Sequence, residues 1–182
     1  MKQERPPHRL DVKAFAQSSG AIAGQDLLSE YERLVHETQG LGADNLLNWS
    51  ARGELRRDPS GSEQVWLHLK VDVKLPLTCQ RCMTPAEIPV AVSRSFRFVS
   101  TEDAAEAEDA ESEEDLLALD ADFSLANLIE DEVLMELPLI PKHDVCPVAV
   151  KLAVVDPGFE AANSEKQQPF AVLAKLKSGK PD

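Results

Sequence analysis

The residues best suited to chemistry are Cys79 and Cys82, in the run Leu77-Thr-Cys79-Gln-Arg-Cys82, with His143 and Cys146 about sixty residues further on. Two thiols at C-x-x-C spacing on a tight turn hold one metal ion or close one short disulfide. Joined by an H-x-x-C, they supply four tetrahedral ligands for zinc, provided the fold brings the halves together. A dithiol redox enzyme would place the pair at a helix N-terminus, where the helix dipole lowers a thiol pKa. Here Met83, Thr84 and Pro85 follow, and then another strand-like run. A plainer reading makes Cys79 and Cys82 small, partly buried hydrophobes bracketing a turn. The sequence requires no cofactor, and zinc at Cys79, Cys82, His143 and Cys146 is the one it allows.

Other catalytic templates are missing. There is no Gly-rich phosphate loop, no G-x-S-x-G elbow and no H-E-x-x-H helix. Glu130, Asp131, Glu132 and Glu136 read as the solvated face of a helix, and His36 and His68 as wet surface residues. No catalytic residue, no enzymatic activity and no small-molecule substrate are expected.

Two surfaces could carry binding instead. Arg52, Arg56, His68, Lys70, Lys74 and Arg97 fall on one face of a predicted sheet, with Trp66 among them. Cations around an aromatic are what single-stranded RNA uses, charge for the phosphates and a ring for a base. The alternative is that a helix over 25–36 covers Trp66 and the charges are ordinary strand exteriors. The second surface is the run TEDAAEAEDAESEED at 101–115, carrying Glu106, Glu108, Asp109, Glu111, Glu113 and Glu114. Such a run has little to bury and reads as a mobile arm or a solvated helix. It could hold a basic protein or mimic a phosphate backbone, although such runs commonly only solubilise.

The elements that must position these groups follow from periodicity. Leu27, Leu28, Tyr31, Leu34 and Val35 make one stripe of an amphipathic helix over 25–36. Asp58-Pro-Ser-Gly61 is a turn sequence between two alternating runs. Val65, Leu67, Leu69, Val71, Val73 and Leu75 alternate after it, and Leu47, Trp49, Ala51 and Leu55 share one phase before it. A third strand is predicted over about 88–99, with Arg94 interrupting its apolar phase. Asp122 or Ser124 can cap a helix carrying Leu125, Leu128, Ile129, Val133, Leu134 and Leu137, which Pro138 ends. A last short helix is expected over 170–177, and residues 1–20 could add an edge strand. The expected fold is α+β: an antiparallel sheet of three or more strands, packed by helices from the N-terminus and the C-terminal half.

Composition bounds the rest. The chain has 182 residues, 43% hydrophobic and 28% charged, which suits one globular domain. Three cysteines, two of them three positions apart, fit a reducing compartment. No secretory signal or membrane span is read, so the cytoplasm is expected. The net charge is −13, yet it is divided. Residues 101–136 hold fifteen carboxylates and no Lys or Arg, whereas residues 49–100 are mildly basic. Overall acidity disfavours unaided, tight binding to phosphate backbones, and the basic middle keeps a weaker contact open.

Three stretches together resemble the bacterial YceD family, the large ribosomal RNA subunit accumulation proteins. They are Leu77-Thr-Cys79-Gln-Arg-Cys82, then Ile129-Glu-Asp-Glu-Val-Leu-Met-Glu-Leu-Pro-Leu-Ile-Pro141 with His143 and Cys146, and Pro169-Phe-Ala-Val-Leu-Ala-Lys-Leu-Lys177. Some family members carry a second C-x-x-C where this chain has Cys146-Pro147. The resemblance implies a single domain over 1–182 and a non-enzymatic role in synthesis, processing or stability of large-subunit ribosomal RNA. Its partner would be that RNA or a basic ribosomal protein. A dithiol redox protein and a zinc-stabilised interaction scaffold stand as the alternatives.

Overall fold

The structure is a computed structural model and describes residues 9–109, 112, 114–150, 153–154, 156 and 158–159. Its contacts divide the chain into two compact units, 1–147 and 148–182, and the elements and sites below lie in the first. In chain order these are α1 (Val12–Gln17), β1 (Ala21–Leu27), a 3₁₀ turn (Leu28–Glu30), α2 (Glu32–Glu37), β2 (Leu46–Arg57), β3 (Glu63–Thr78) and β4 (Pro85–Val99). Then follow α3 (Glu102–Asp109), β5 (Asp115–Ala118) and α4 (Leu125–Met135). The fold is α+β, as the periodicities require.

The strands form one sheet in the order β1-β2-β3-β4-β5. The first four are antiparallel, and β5 returns parallel to β4 after the α3 crossover, pairing Phe98 with Leu117. Strand β3 is the spine. Val65, Leu67, Leu69, Val71, Val73 and Leu75 are all buried on its inner face, opposite Trp49 and Ala51 of β2 and Val90, Val92 and Phe96 of β4. Truncating the wholly enclosed Leu67, Leu69 or Leu75 to Ala costs about 2–5 kcal/mol each, because the cavity left behind collapses only in part.

Helices cover this inner face. Ser124 caps α4 by accepting from the Asn127 N–H, and Leu125, Leu128, Ile129 and Val133 enter the core. α1 comes so close that a Cβ on Gly53 would lie 2.8 Å from the Ala16 backbone. Glycine is required there for contact, not for a turn.

Three expectations change. The stripe over 25–36 is not one helix: Ala21–Leu27 is a strand paired with β2, and only Glu32–Glu37 is α-helical. The stripe misled because Asp26 stands at an inward strand position, where a charge hides the alternation. It is 5% exposed and satisfied by the Tyr31 hydroxyl and the Trp49 indole N–H, at 2.9 and 2.7 Å. Second, Val12–Gln17 is helical rather than an edge strand, and Asp11 caps it through the Ala14 N–H. Third, the α4 carboxylates are not all solvated, since Glu130 and Glu132 are buried. The helix expected over 170–177 lies outside the described residues.

Candidate metal centre and nucleic-acid interface

The β3–β4 connection is a tight knuckle. The Cys79 N–H donates to the Thr84 carbonyl and the Met83 N–H to the Cys79 carbonyl, each at 2.9 Å. Met83 takes φ 59°, the left-handed region, to close it. After α4 the chain passes Pro138 and Pro141 and comes back to this knuckle. The Gln80 N–H donates to the Pro141 carbonyl at 2.9 Å, and the Arg81 guanidinium donates to the His143 and Asp144 carbonyls. These backbone contacts bring the distant His143 and Cys146 onto the C-x-x-C.

The four ligand atoms of Cys79, Cys82, His143 and Cys146 lie within 4.8 Å of one another. Cys79 Sγ is 4.0 Å from Cys146 Sγ, and Cys82 Sγ is 3.4 Å from His143 Nδ1. Tetrahedral zinc with Zn–S of about 2.3 Å sets its sulfurs about 3.8 Å apart, so the residues fit the ion. His143 Nε2 faces the Pro85 carbonyl at 3.0 Å. That hydrogen bond fixes the tautomer that turns the Nδ1 lone pair toward the sulfurs, the usual outer partner of a ligating histidine.

Two of the three thiols, Cys79 and Cys82, are already biased toward the thiolate that ligates metal. Burial raises the Cys79 pKa, but N–H groups of His143, Cys82 and Arg81 aimed at the sulfur prevail and bring it down to about 5. The Thr84 hydroxyl lowers Cys82, burial raises Cys146, and the Cys79 sulfur raises His143. A buried Cys79 away from any helix N-terminus suits a ligand better than an exposed redox nucleophile.

The second candidate is the outer sheet face, where the structure puts Arg52, Arg56, Trp66, His68, Lys70, Lys74 and Arg97 together. Small residues flank them: Ala21 and Ala23 on β1, Ser50 on β2, Ser93 and Ser95 on β4. Most of these cations are already engaged. Glu54 Oε2 meets Arg52 at 3.1 Å and His68 Nε2 at 2.8 Å, while Glu54 Oε1 meets Arg56 at 3.0 Å. The Arg56 hydrogen bond is the main cause holding Glu54 at a pKa of about 2, with His68 next. Arg97 meets Glu108 at 3.0 Å. Among the described residues, Lys70 and Lys74 have no ion pair. Trp66 is 4% exposed and outside the core cluster, with the Arg56 guanidinium 4.4 Å above its ring and His68 stacked beside it. What shields it is its own face of the sheet, not a helix over 25–36.

Glu106 and Glu108 stand exposed on α3, and Glu114 beyond it is exposed too. Glu111 and Glu113 lie outside the described residues, as does the side chain of Asp109. Periodicity places Glu54 on this face between Arg52 and Arg56, but the pairing that makes it neutralise them is visible only in the structure. No helix among the described residues is long and apolar enough to cross a membrane.

Comparison with known proteins agrees with these motifs. Residues 67–177 match the model of the family described as large ribosomal RNA subunit accumulation protein YceD. A curated relative of that name from Haemophilus influenzae is 31% identical over 181 residues, covering 97% of this chain and 99% of its own length. No solved structure matches. The match spans the knuckle, the Pro141–Cys146 return and α4, and on that ground the chain belongs to the YceD family.

Proposed function

We propose that this chain is a non-enzymatic, cytoplasmic accessory factor of ribosome biogenesis. It supports accumulation of large-subunit ribosomal RNA, the role in its relatives' name, by binding RNA on the outer face of the sheet. The observation that carries this reading is the asymmetry of the sheet. Helices pack on the inner face, while the outer face presents Lys70 between Ser50 and Ser93, and Lys74 beyond Asp72, neither of them ion-paired among the described residues. A flat surface with two such ammonium groups suits the phosphate backbone of a single strand.

The Cys3His cluster supports that face and takes no part in a reaction. Cys79, Cys82, His143 and Cys146 would hold zinc with all four positions filled by protein, the arrangement of structural sites. The ion would supply stability by tying the return segment to the β3–β4 turn. A dithiol redox role fits less well with a fully buried Cys79.

A second reading, capture of a basic ribosomal protein, is favoured by α3. Glu102, Asp103 and Glu106 are exposed and make no ion pair among the described residues. Deleting 101–115 would then abolish co-purification of basic ribosomal proteins, and unchanged co-purification would discard it.

The RNA reading is tested by binding of fragments of large-subunit ribosomal RNA to the pure protein across salt concentrations. Affinity should fall with salt, and Lys70→Ala and Lys74→Ala should each flatten the log–log slope by about 0.7, one phosphate contact on a single strand. Binding that ignores both substitutions contradicts it.

A further inference from the structure

Two carboxylates of the acidic segment, Glu108 and Glu114, are tied to the sheet or to its neighbourhood rather than facing solvent alone. Glu108 Oε2 accepts from Arg97 Nη1 at 3.0 Å, and Arg97 Nη2 lies 3.5 Å from Ser112 Oγ. Ser112 Oγ in turn donates to Glu114 at 2.7 Å. The Arg97 side chain is consequently only 14% exposed, on a strand where neighbouring Ser95 is open. Glu114 sits in the combined positive field of Arg97 and Arg56, although its main lowering comes from Ser112. Arg56 is the residue stacked on Trp66. Glu108 therefore stands on the Arg97 guanidinium, and Glu114 within the field of Arg97 and Arg56, as phosphates would stand in a single-stranded RNA complex.

The hold is of a kind that can be released. α3 is eight residues long, and of its apolar side chains Ala105 alone is buried. Its hydrophobic anchoring is thus slight, about one alanine's worth of area. A cleft of about 570 Å³ remains between segment and sheet, lined by Gln64, Arg97, Glu108 and Glu114 among others. The Arg97–Glu108 contact ends on a carboxylate that is half exposed, so salt and competing anions weaken it. By contrast Glu54, on β2 itself, is a permanent part of the face.

From these contacts we infer that Glu108 and Glu114 occupy the Arg97 end of the outer face as an internal stand-in for the phosphates of an RNA strand, and that single-stranded RNA binds there by displacing them. This rests on the RNA-binding reading and adds a competitor to it. The consequence is selectivity. Short or weakly charged strands lose to the tethered carboxylates, whose effective concentration is high, and only an RNA making further contacts toward Lys70 and Lys74 prevails.

The test uses the full chain, a fluorescent twelve-nucleotide oligouridylate and three proteins: wild type, Glu108→Gln/Glu114→Gln, and Glu32→Gln/Glu37→Gln on α2 as a control of equal charge. Freeing the Arg97 guanidinium should tighten binding about fourfold at about 0.15 M salt in the first variant, the scale of one regained phosphate contact, and less than about twofold in the control. Adding Arg97→Ala to the first variant should remove the gain. Wild-type binding that neither Glu108→Gln/Glu114→Gln nor its combination with Arg97→Ala alters overturns the internal competitor and leaves the RNA reading standing. Equal tightening in the control also overturns it, since bulk charge then explains the effect. Absence of binding by all three removes the RNA reading and this inference with it.

Discussion

Cys79 and Cys146 are 67 positions apart in the chain, yet their sulfurs are 4.0 Å apart. With His143 and Cys82 completing a cluster of zinc-site dimensions, the expected outcome of metal analysis on protein purified without chelator is about one zinc per chain. Less than about a tenth of an equivalent discards the site. Cys79→Ser, or stripping by a strong chelator, should lower the unfolding midpoint and free the return segment for proteolysis. The loss is about 4 kcal/mol or more when free zinc exceeds its dissociation constant a thousandfold.

Glu130 is the residue through which α4 holds α2. Its carboxylate accepts the Arg33 backbone N–H at 2.7 Å, Arg33 Nε at 2.8 Å and the Leu34 N–H at 3.4 Å. Glu130→Ala should therefore cost about 2–4 kcal/mol in urea unfolding, because it strands buried donors as well as losing the bonds. Arg33→Ala should cost less, since the two backbone donors still face the carboxylate. An equal cost for both would contradict this division.

Tyr31 is the chain's sole tyrosine, which makes its titration readable by absorbance. Burial first, then the adjacent Asp26 carboxylate, raises its pKa well above the ordinary 10.0. A folded pKa above the unfolded one gives stability that is complete below pH 10 and is lost as pH climbs past it. Tyrosinate absorbance should thus emerge together with loss of the fold, and not before. A reversible phenolate transition near pH 10 in folded protein is the contrary result.

Glu54 behaves in the opposite sense. Held at about 2 against an ordinary 4.5, it contributes stability present above pH 4.5 and lost as pH falls toward 2. Carboxyl NMR should place its midpoint near 2 in the folded protein, and Arg56→Ala should move it upward. A midpoint of 4 or higher would show that the Arg52–Glu54–Arg56–His68 group does not persist in solution.

Much of the sheet was legible in the sequence because one of its faces is buried. From Leu67 to Leu75 the alternation is unbroken, Trp66 being the apolar residue on the other face before it, and the phases of β2 and β4 match it. What sequence reading lost was polar residues at inward positions. Asp26 concealed β1, and Glu130 and Glu132 looked solvated until Arg33 and Arg94 were seen to reach them from other elements. β5 was hidden for a different reason: Asp115-Leu-Leu-Ala118 is short, follows an acidic run and depends on pairing with β4. The Cys3His set was readable as residue types, but only the β3–β4 knuckle and the turn back from Pro141 make it a site.

The most direct test of the central claim is ultraviolet crosslinking in living cells, with sequencing of the attached RNA and mass spectrometry of the adducted peptides. The expected result is large-subunit ribosomal RNA, with adducts between Gln64 and Lys74 on β3 and at Arg97 on β4. Recovery of proteins alone, or of RNA attached only to other parts of the chain, would contradict binding at the outer face.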